Sequence, residues 1–337
     1  MQGVNRQVIL TEKPQEKLSL ANFALAEAEI PTPAAGEALV RTRYISLDAA
    51  NRAWMQGVTY RSALNQGEVM AGGALAEVVE SRDPSLAPGD IVSAETGWQD
   101  YAALPARRLA KLPKLEPLTH LLSVYGVTGL TAYLGLLRVG DPKPGETVVV
   151  SAAAGAVGSI AAQVAKLLGA RVIGVAGGAG KCAWLTDALG LDAAVDYKAS
   201  GGPGDLRRQL RGLCPDGINV YFDNVGGDVF EAALFNMANH GRIVCCGAVS
   251  QYDKAPPPHG PRGVPGLIVT KRLKVEGFVV MDFYDGRDAA LAQLRKWVEA
   301  GQLKVQEDVI DGFENLPAAL IGLLAGDNRG KRMVKIA

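Results

Sequence analysis

Thr147-Val148-Val149-Val150-Ser151 runs into Ala152-Ala153-Ala154-Gly155-Ala156-Val157-Gly158, and Val157–Leu168 then leads to Arg171-Val172-Ile173-Gly174-Val175-Ala176. Both apolar runs are short and rich in β-branched residues, which suits strands buried on two faces. The passage therefore reads strand, turn, helix, strand. At the turn stands an AxGxxG pattern of Ala153, Gly155 and Gly158. Gly155 lets the backbone approach a pyrophosphate, and Gly158 lets the helix lie close on the strand. The helix N-terminus then faces the phosphate oxygens. An Ala/Gly turn alone serves packing as readily as binding. With a strand before it, a helix after it and a second strand at the right distance, the dinucleotide reading is the better one.

The residues after the second strand select the cofactor. An NAD site usually carries Asp or Glu about 20 residues past the glycines, to hold the ribose hydroxyls. This sequence reads Ala176-Gly177-Gly178-Ala179-Gly180-Lys181, with no acid to repel a 2′-phosphate and a lysine to pair with it. NADP (NADPH) is the expected cofactor. A solvated lysine at a helix start is the plainer account of Lys181, but the missing acid argues for NADP independently.

Outward from this passage, strands and helices continue to alternate. Lys181–Leu189 reads as a helix, Val220–Asp223 and Arg242–Gly247 as strands, and Leu291–Ala300 as a helix. That alternation predicts a doubly wound parallel α/β sheet. Before about Val127 the texture differs. Gln7–Leu10, Ala38–Tyr44 and Ala74–Glu80 are short strands separated by Gly/Pro turns, which predicts an antiparallel, partly barrel-like domain. The tail from Leu303 turns strand-like again and ends in Lys331–Ile336. Pro256-Pro257-Pro258, with Pro261 and Pro265, marks a loop whose order the sequence leaves open.

Composition narrows the function. The chain has 337 residues, enough for two cores, and 35 basic side chains balance 35 acidic ones. Such a balance carries no footprint for nucleic acid or an anionic membrane. No secretory signal opens the chain, and the apolar segment from His120 to Val139 is broken by Gly126, Gly129 and Gly135. A buried helix in a soluble, cytoplasmic protein is the expectation. Four scattered cysteines predict no disulfide framework.

GLTAYLGLL (129–137), AAAGAVGS (152–159), YFDNVGG (221–227), GRIVCCGAVSQY (241–252), EGFVV (276–280) and GDNRGK (326–331) together resemble the medium-chain dehydrogenase/reductase superfamily. They resemble its zinc-free branch of prostaglandin and leukotriene reductases, alkenal double-bond reductases and curcumin-reductase-like enzymes. The first domain matches more loosely, through residues 44–55, 68–81 and 97–104. The resemblance implies a Rossmann domain over 128–301. It also implies a GroES-like, mainly-β domain built from 1–127 and 302–337. It places NADP contacts at Gly155, Ala156, Val157, Gly158, Lys181, Tyr197, Asn224, Cys246, Gly247, Ala248, Val249, Ser250, Tyr252, Phe278, Val279, Val280 and Asn328. Tyr197 would help hold the 2′-phosphate. On their own, Tyr197, Asn224 and Asn328 read as ordinary turn or surface residues. A homodimer through the edge of the cofactor sheet is implied by the resemblance alone.

Zinc relatives carry a Cys and a Gly-His-Glu set in the first domain, plus a lobe of four cysteines. Here every cysteine lies beyond residue 180, the corresponding stretch reads Met70-Ala71-Gly72-Gly73-Ala74, and His120, His240 and His259 lack ligand spacing. No metal is expected. Hydride delivery to the C=C bond of an α,β-unsaturated ketone or aldehyde then suits the site better than alcohol oxidation. Tyr252 is the family-matched donor to the enolate oxygen; packing against the cofactor is an equally good account of it. Where mammalian and plant members tend to read Asp-Pro-Tyr-Met-Arg, this chain reads Asp48-Ala49-Ala50-Asn51-Arg52, so a pocket tyrosine is absent. Asn51, Trp54, Tyr60 and Trp98 are candidate pocket walls, with an ordinary core role as the alternative. Two rival functions stand beside the enone reductase: an NADPH quinone reductase, and an NADPH-binding redox sensor or crystallin-like protein without turnover.

Overall fold

In the computed structural model, residues 3–253 and 260–337 are described; the proline run 256–258 lies outside the described residues. The chain forms two compact units. One comprises Met1–Leu122, Glu307–Asn328 and Arg332–Ala337, the other Ser123–Gln306 with Arg329–Lys331.

In the first unit, β1 (Val4–Leu10) pairs antiparallel with β2 (Phe23–Glu29). A larger sheet begins with β3 (Glu37–Ser46), followed by the short helix α1 (Ala50–Gln56) and the strands β4 (Ala74–Ser81), β5 (Ile91–Ala94), β6 (Tyr101–Pro105) and β7 (Ala110–Lys111). The pairings of β3 with β4 and β6, and of β5 with β4 and β7, are antiparallel. Alternation along β3 puts Ala38 and Val40 into one core with Val78 and Val92, whereas Ile45 joins Val8, Leu10, Met55 and Trp98 in another.

The second unit opens with α2 (Val127–Gly135), inside the apolar segment whose glycines argued against a membrane span. Those glycines allow close packing. A Cβ on Gly129 would fall 1.9 Å from the Val124 carbonyl oxygen, and one on Gly135 would fall 2.2 Å from the Phe278 ring. No helix among the described residues is long and apolar enough to cross a membrane.

Six parallel strands follow, with helices between them: β8 (Thr147–Ser151), α3 (Ala156–Leu167), β9 (Arg171–Ala176), α4 (Ala179–Ala183), β10 (Ala193–Asp196), α5 (Pro203–Leu213), β11 (Ile218–Asp223), α6 (Gly227–Asn236), β12 (Met237–Cys245), α7 (Gly266–Lys271), β13 (Lys274–Gly277) and α8 (Arg287–Glu299). Their order in the sheet is β10-β9-β8-β11-β12-β13, so the winding reverses between β8 and β11. Val148, Val150, Val220 and Phe222 fill the core on one face; Val149, Ile173 and Tyr221 fill the core on the other. Burial on both faces is why these strands read as continuous apolar runs.

The tail returns to the antiparallel sheet. β14 (Glu307–Asp311), α9 (Leu316–Ala325) and β15 (Lys331–Lys335) follow, with β15 antiparallel to β3. Within the parallel-sheet unit, β10, α5, α6, α7 and β13 had no counterpart in the sequence reading. The two strands are four residues long, and α5 buries only Leu206 and Leu210. The helix expected over Lys181–Leu189 begins earlier, at Ala179, and widens over Trp184–Ala188.

Candidate functional site

The loops at the carboxyl ends of the six parallel strands carry the second unit's candidate residues, where an open α/β sheet binds its ligands. After β8, the Gly155 N–H donates to the Ala152 carbonyl at 2.8 Å, closing the tight turn. Gly155 caps α3, and Ala156, Val157 and Gly158 form its first turn, whose N–H groups have no acceptor within the helix. A Cβ on Gly158 would meet the Ala152 carbonyl oxygen at 2.2 Å, so glycine alone permits this approach. Gly330 donates its N–H to the Ala154 carbonyl at 2.8 Å, which fixes residues 329–331 against the same loop.

A buried knot joins β8 to β11 at the reversal point. Asp223 is 3% exposed. Its Oδ1 accepts from Ser151 Oγ at 3.0 Å, Tyr221 Oη at 2.7 Å, and the N–H groups of Val225 and Gly226, both at 3.0 Å. Burial and the Asp223 charge push the Tyr221 phenol well above its ordinary pKa, so it stays a donor. Asn224 is set by the same knot: its N–H donates to Ser151 Oγ at 2.8 Å and its Nδ2 to the Ser151 carbonyl at 2.7 Å. Ser151 and Asp223 were not among the sequence-derived site residues. The signal was present in YFDNVGG, where a buried acid precedes two glycines at positive φ, Gly226 and Gly227.

The loop after β12 hangs on this turn. Cys246 and Gly247 donate their N–H groups to the Asp223 carbonyl at 2.8 and 3.1 Å, and Ser250 Oγ donates to the Val225 carbonyl at 2.6 Å. Val249 N–H reaches the Asn224 carbonyl at 3.3 Å. The Tyr252 phenol oxygen accepts the Ala248 N–H at 3.1 Å. Burial drives the Cys245 thiol up to about 11 and the Cys246 thiol up to about 12, with Asp223 adding to both. Neither is a thiolate nucleophile at neutral pH. After β13, the Phe278 ring stacks on Phe283 at 5.9 Å and Val280 is buried, so their side chains serve the core.

At the turn after β9 the structure corrects one premise. The sequence reading found no acid near Gly177–Lys181, but Asp196, at the end of the neighbouring β10, places its carboxylate there. Its Oδ1 accepts the Gly178 N–H at 2.8 Å and the Lys198 N–H at 2.9 Å. These N–H groups, that of Gly178 first, hold its pKa below the usual carboxylate range. The acid thus braces the turn. Tyr197 is 43% exposed, and a Cβ on Gly177 would lie 2.9 Å from its ring. Lys181 lies in the middle of α4 and is half-buried.

Of the four pocket candidates, Trp98 is fully buried and stacks on Phe23, and Asn51 is 1% exposed. The Asn51 amide donates to the Ala71 carbonyl at 2.9 Å and accepts the Asp48 N–H at 2.7 Å. Both are therefore core residues, as polar and aromatic groups in a small β domain commonly are. Trp54 is 7% exposed and meets the exposed Tyr60 edge-on. Asn328 is buried in the first unit, in the turn after α9.

Among the described residues no group of three or more His, Cys, Asp or Glu side chains could hold an ion. At Gly72, in the stretch that stands for the ligand region, a Cβ would lie 2.7 Å from the Trp98 indole nitrogen, so any side chain there displaces Trp98.

Comparison with known proteins places this geometry. The family described as N-terminal domain of oxidoreductase matches residues 6–112, and that described as zinc-binding dehydrogenase matches residues 156–296. The NADPH-dependent curcumin reductase of Escherichia coli is 40% identical, covering 99% of this chain and 97% of its own. The NADP(+)-dependent 2-alkenal reductase of Nicotiana tabacum is 38% identical, covering 99% and 98%. The crystal structure of CurA from Vibrio vulnificus in complex with NADPH superposes with a TM-score of 0.93 at 40% identity, over 98% of this chain and 99% of that one. The chain belongs to the medium-chain dehydrogenase/reductase superfamily, in the branch of the curcumin, prostaglandin and 2-alkenal reductases.

Proposed function

We propose that this protein is an NADPH-dependent reductase of the C=C bond in α,β-unsaturated ketones and aldehydes. The observation that carries this reading is the glycine cradle at the sheet's reversal point, joined through Asp223 to the loop that holds the Tyr252 phenol. Relatives named for curcumin and 2-alkenal reduction, each of which this chain matches over nearly its whole length, support the substrate class.

The cradle fits the cofactor. Gly155 and Gly158 keep the loop free of side chains, and the first turn of α3 offers its N–H groups to a pyrophosphate. Lys181, in α4 after β9, and Tyr197, at the start of the loop after β10, would supply the cation and the donor that an adenosine 2′-phosphate needs. Asn224, the backbone of 246–250 and the backbone of 278–280 would hold the nicotinamide half. When bound, NADPH supplies the hydride that saturates the β-carbon.

The remaining work falls to the chain. As the C=C bond is reduced, charge builds on the carbonyl oxygen, and the Tyr252 O–H is the group assigned to donate to it. The Ala248 N–H already occupies an acceptor position on the phenol oxygen, which orients the ring. Protonation of the α-carbon is left to solvent or to the same phenol. The protein acts on a small molecule; a homodimer is the part of the proposal that the family resemblance supplies, and a cytoplasmic location is the part that rests on the reading of the sequence.

Product analysis with 4-deuterated NADPH and a linear enone tests this. The expected product is a saturated ketone with deuterium at the β-carbon. Deuterium at the carbonyl carbon of an allylic alcohol would overturn the reaction class. Turnover confined to a quinone acceptor would move the chain to the quinone reductases.

A further inference from the structure

Lys198 and Arg329 stand at the two ends of one glycine turn, and neither has a role so far. At one end, a Cβ on Gly177 would fall 2.9 Å from Lys198 Cε and 3.1 Å from its Cδ, so the lysine stem lies across the bare glycine. Asp196 Oδ1 accepts from both the Lys198 and Gly178 N–H groups, which ties the lysine's backbone to the turn. At the other end, Arg329 Nη2 lies 3.5 Å from the Gly180 carbonyl, and its guanidinium carbon lies 5.3 Å from the centre of the Trp184 ring. The backbone behind Arg329 is fixed by the bonds from Gly330 to Ala154 and from Lys331 to Gln306, at 2.8 and 3.0 Å.

Between these ends the turn is open. Cβ positions on Gly178 and Gly180 meet nothing within 4 Å. With Lys181 next in the chain, three cations gather on four residues of backbone, in a chain whose acidic and basic counts are equal. Asp196 also lies there: its Oδ1 accepts the Gly178 and Lys198 N–H groups, and its charge faces Lys198. Basic side chains on several sides of an open space favour the entry of an anion, and a planar guanidinium braced on an aromatic ring has in-plane donors to offer it.

We propose that Lys198 and Arg329 are two further determinants of cofactor choice, closing on a phosphomonoester at the 2′ position of adenosine. The inference rests on the cofactor reading above and names residues which that reading did not use. Equilibrium titrations test it with NADPH, NADH, adenosine 2′,5′-bisphosphate and adenosine 5′-monophosphate, on the wild type, Lys198→Ala, Arg329→Ala and Arg329→Lys. Each alanine variant is expected to bind NADPH and the bisphosphate roughly 10- to 100-fold more weakly, the range of a lost charge-assisted contact. NADH and the monophosphate should stay within about twofold, since they lack the phosphate that these charges address. Arg329→Lys should recover part of the loss.

Equal weakening of NADPH and NADH would overturn the inference by showing that the two residues only support the fold. A preference for NADPH that survives both alanine substitutions would overturn it alone. A wild-type protein that binds both cofactors equally would overturn the cofactor reading, and this inference with it.

Discussion

Lys181, in α4 after β9, and Tyr252, in the loop after β12, follow different strands, and their substitutions separate binding from chemistry. Lys181→Ala removes a cation from the turn after β9 and leaves the loop after β12 intact. NADPH affinity should fall by the equivalent of about 1.5–3 kcal/mol, with NADH affinity little changed, as fluorescence titration would measure. Tyr252→Phe keeps the ring and removes the donor. Turnover should drop by roughly 10²–10³ while NADPH affinity holds. A smaller drop would hand part of the task to a ribose hydroxyl and water. Both residues were singled out because each sits in a local word of the sequence, Gly-Gly-Ala-Gly-Lys or, through the family resemblance, Gly-Ala-Val-Ser-Gln-Tyr. Asp196 was not, because its carboxylate reaches the turn from a neighbouring strand, and adjacency between strands is written in no single stretch.

The β8–α3–β9 unit shows what an element's text does convey. Val148, Val149 and Val150 are all fully buried, and that run fixed the strand without any knowledge of its neighbours. The close crossing of α3 over β8 was equally legible, since only glycine at 158 allows it. Gly158→Ala sets a methyl 2.2 Å from the Ala152 carbonyl oxygen and 3.0 Å from the Ala153 Cα, both backbone atoms that cannot swing aside. The helix must shift outward, at a cost of about 1–3 kcal/mol in stability. Calorimetry should show the lower unfolding temperature, and NADPH binding should weaken with it. The short edge strands β10 and β13 escaped notice for the opposite reason. With four residues each they carry almost no periodicity, and their place is set by pairing with β9 and β12.

At the scale of the molecule, charge shapes the acid limit of stability. The Arg242–Glu146 pair lies at 2.6 Å with both side chains about four-fifths covered, and Arg242 also donates to the Gly140 and Asp141 carbonyls. Burial alone would raise the Glu146 carboxyl, but the hydrogen bonds from Arg242 and from the Lys143 N–H hold it below its ordinary pKa. A carboxyl depressed on folding contributes stability that is complete above its unfolded value, about 4.3, and is lost as pH falls through the folded one. The unfolding midpoint should therefore be insensitive to Glu146 between pH 5 and 7, as free-energy linkage at about neutral pH requires, and should fall in more acid solution. Glu146→Gln should flatten that acid limb in a pH series of thermal melts.

The two textures of the chain, strand-rich and then alternating, were legible over its whole length, because hydrophobic period and turn chemistry recur in every segment. What could not be read was the partner that the Ala154 carbonyl takes from the far end of the sequence. Gly330 holds that bond at a φ of +71°, where a Cβ would strike the Gln306 carbonyl oxygen at 2.1 Å. The turn after β8 is thus finished by a residue that follows every strand and helix of the parallel sheet in the sequence. During synthesis, the sheet and its helices are all translated before this last stitch exists. A chain made only as far as α8 has all six strands of the parallel sheet but an open seam at the Ala154 carbonyl, so the turn after β8 gains its last bond only when residue 330 has been added.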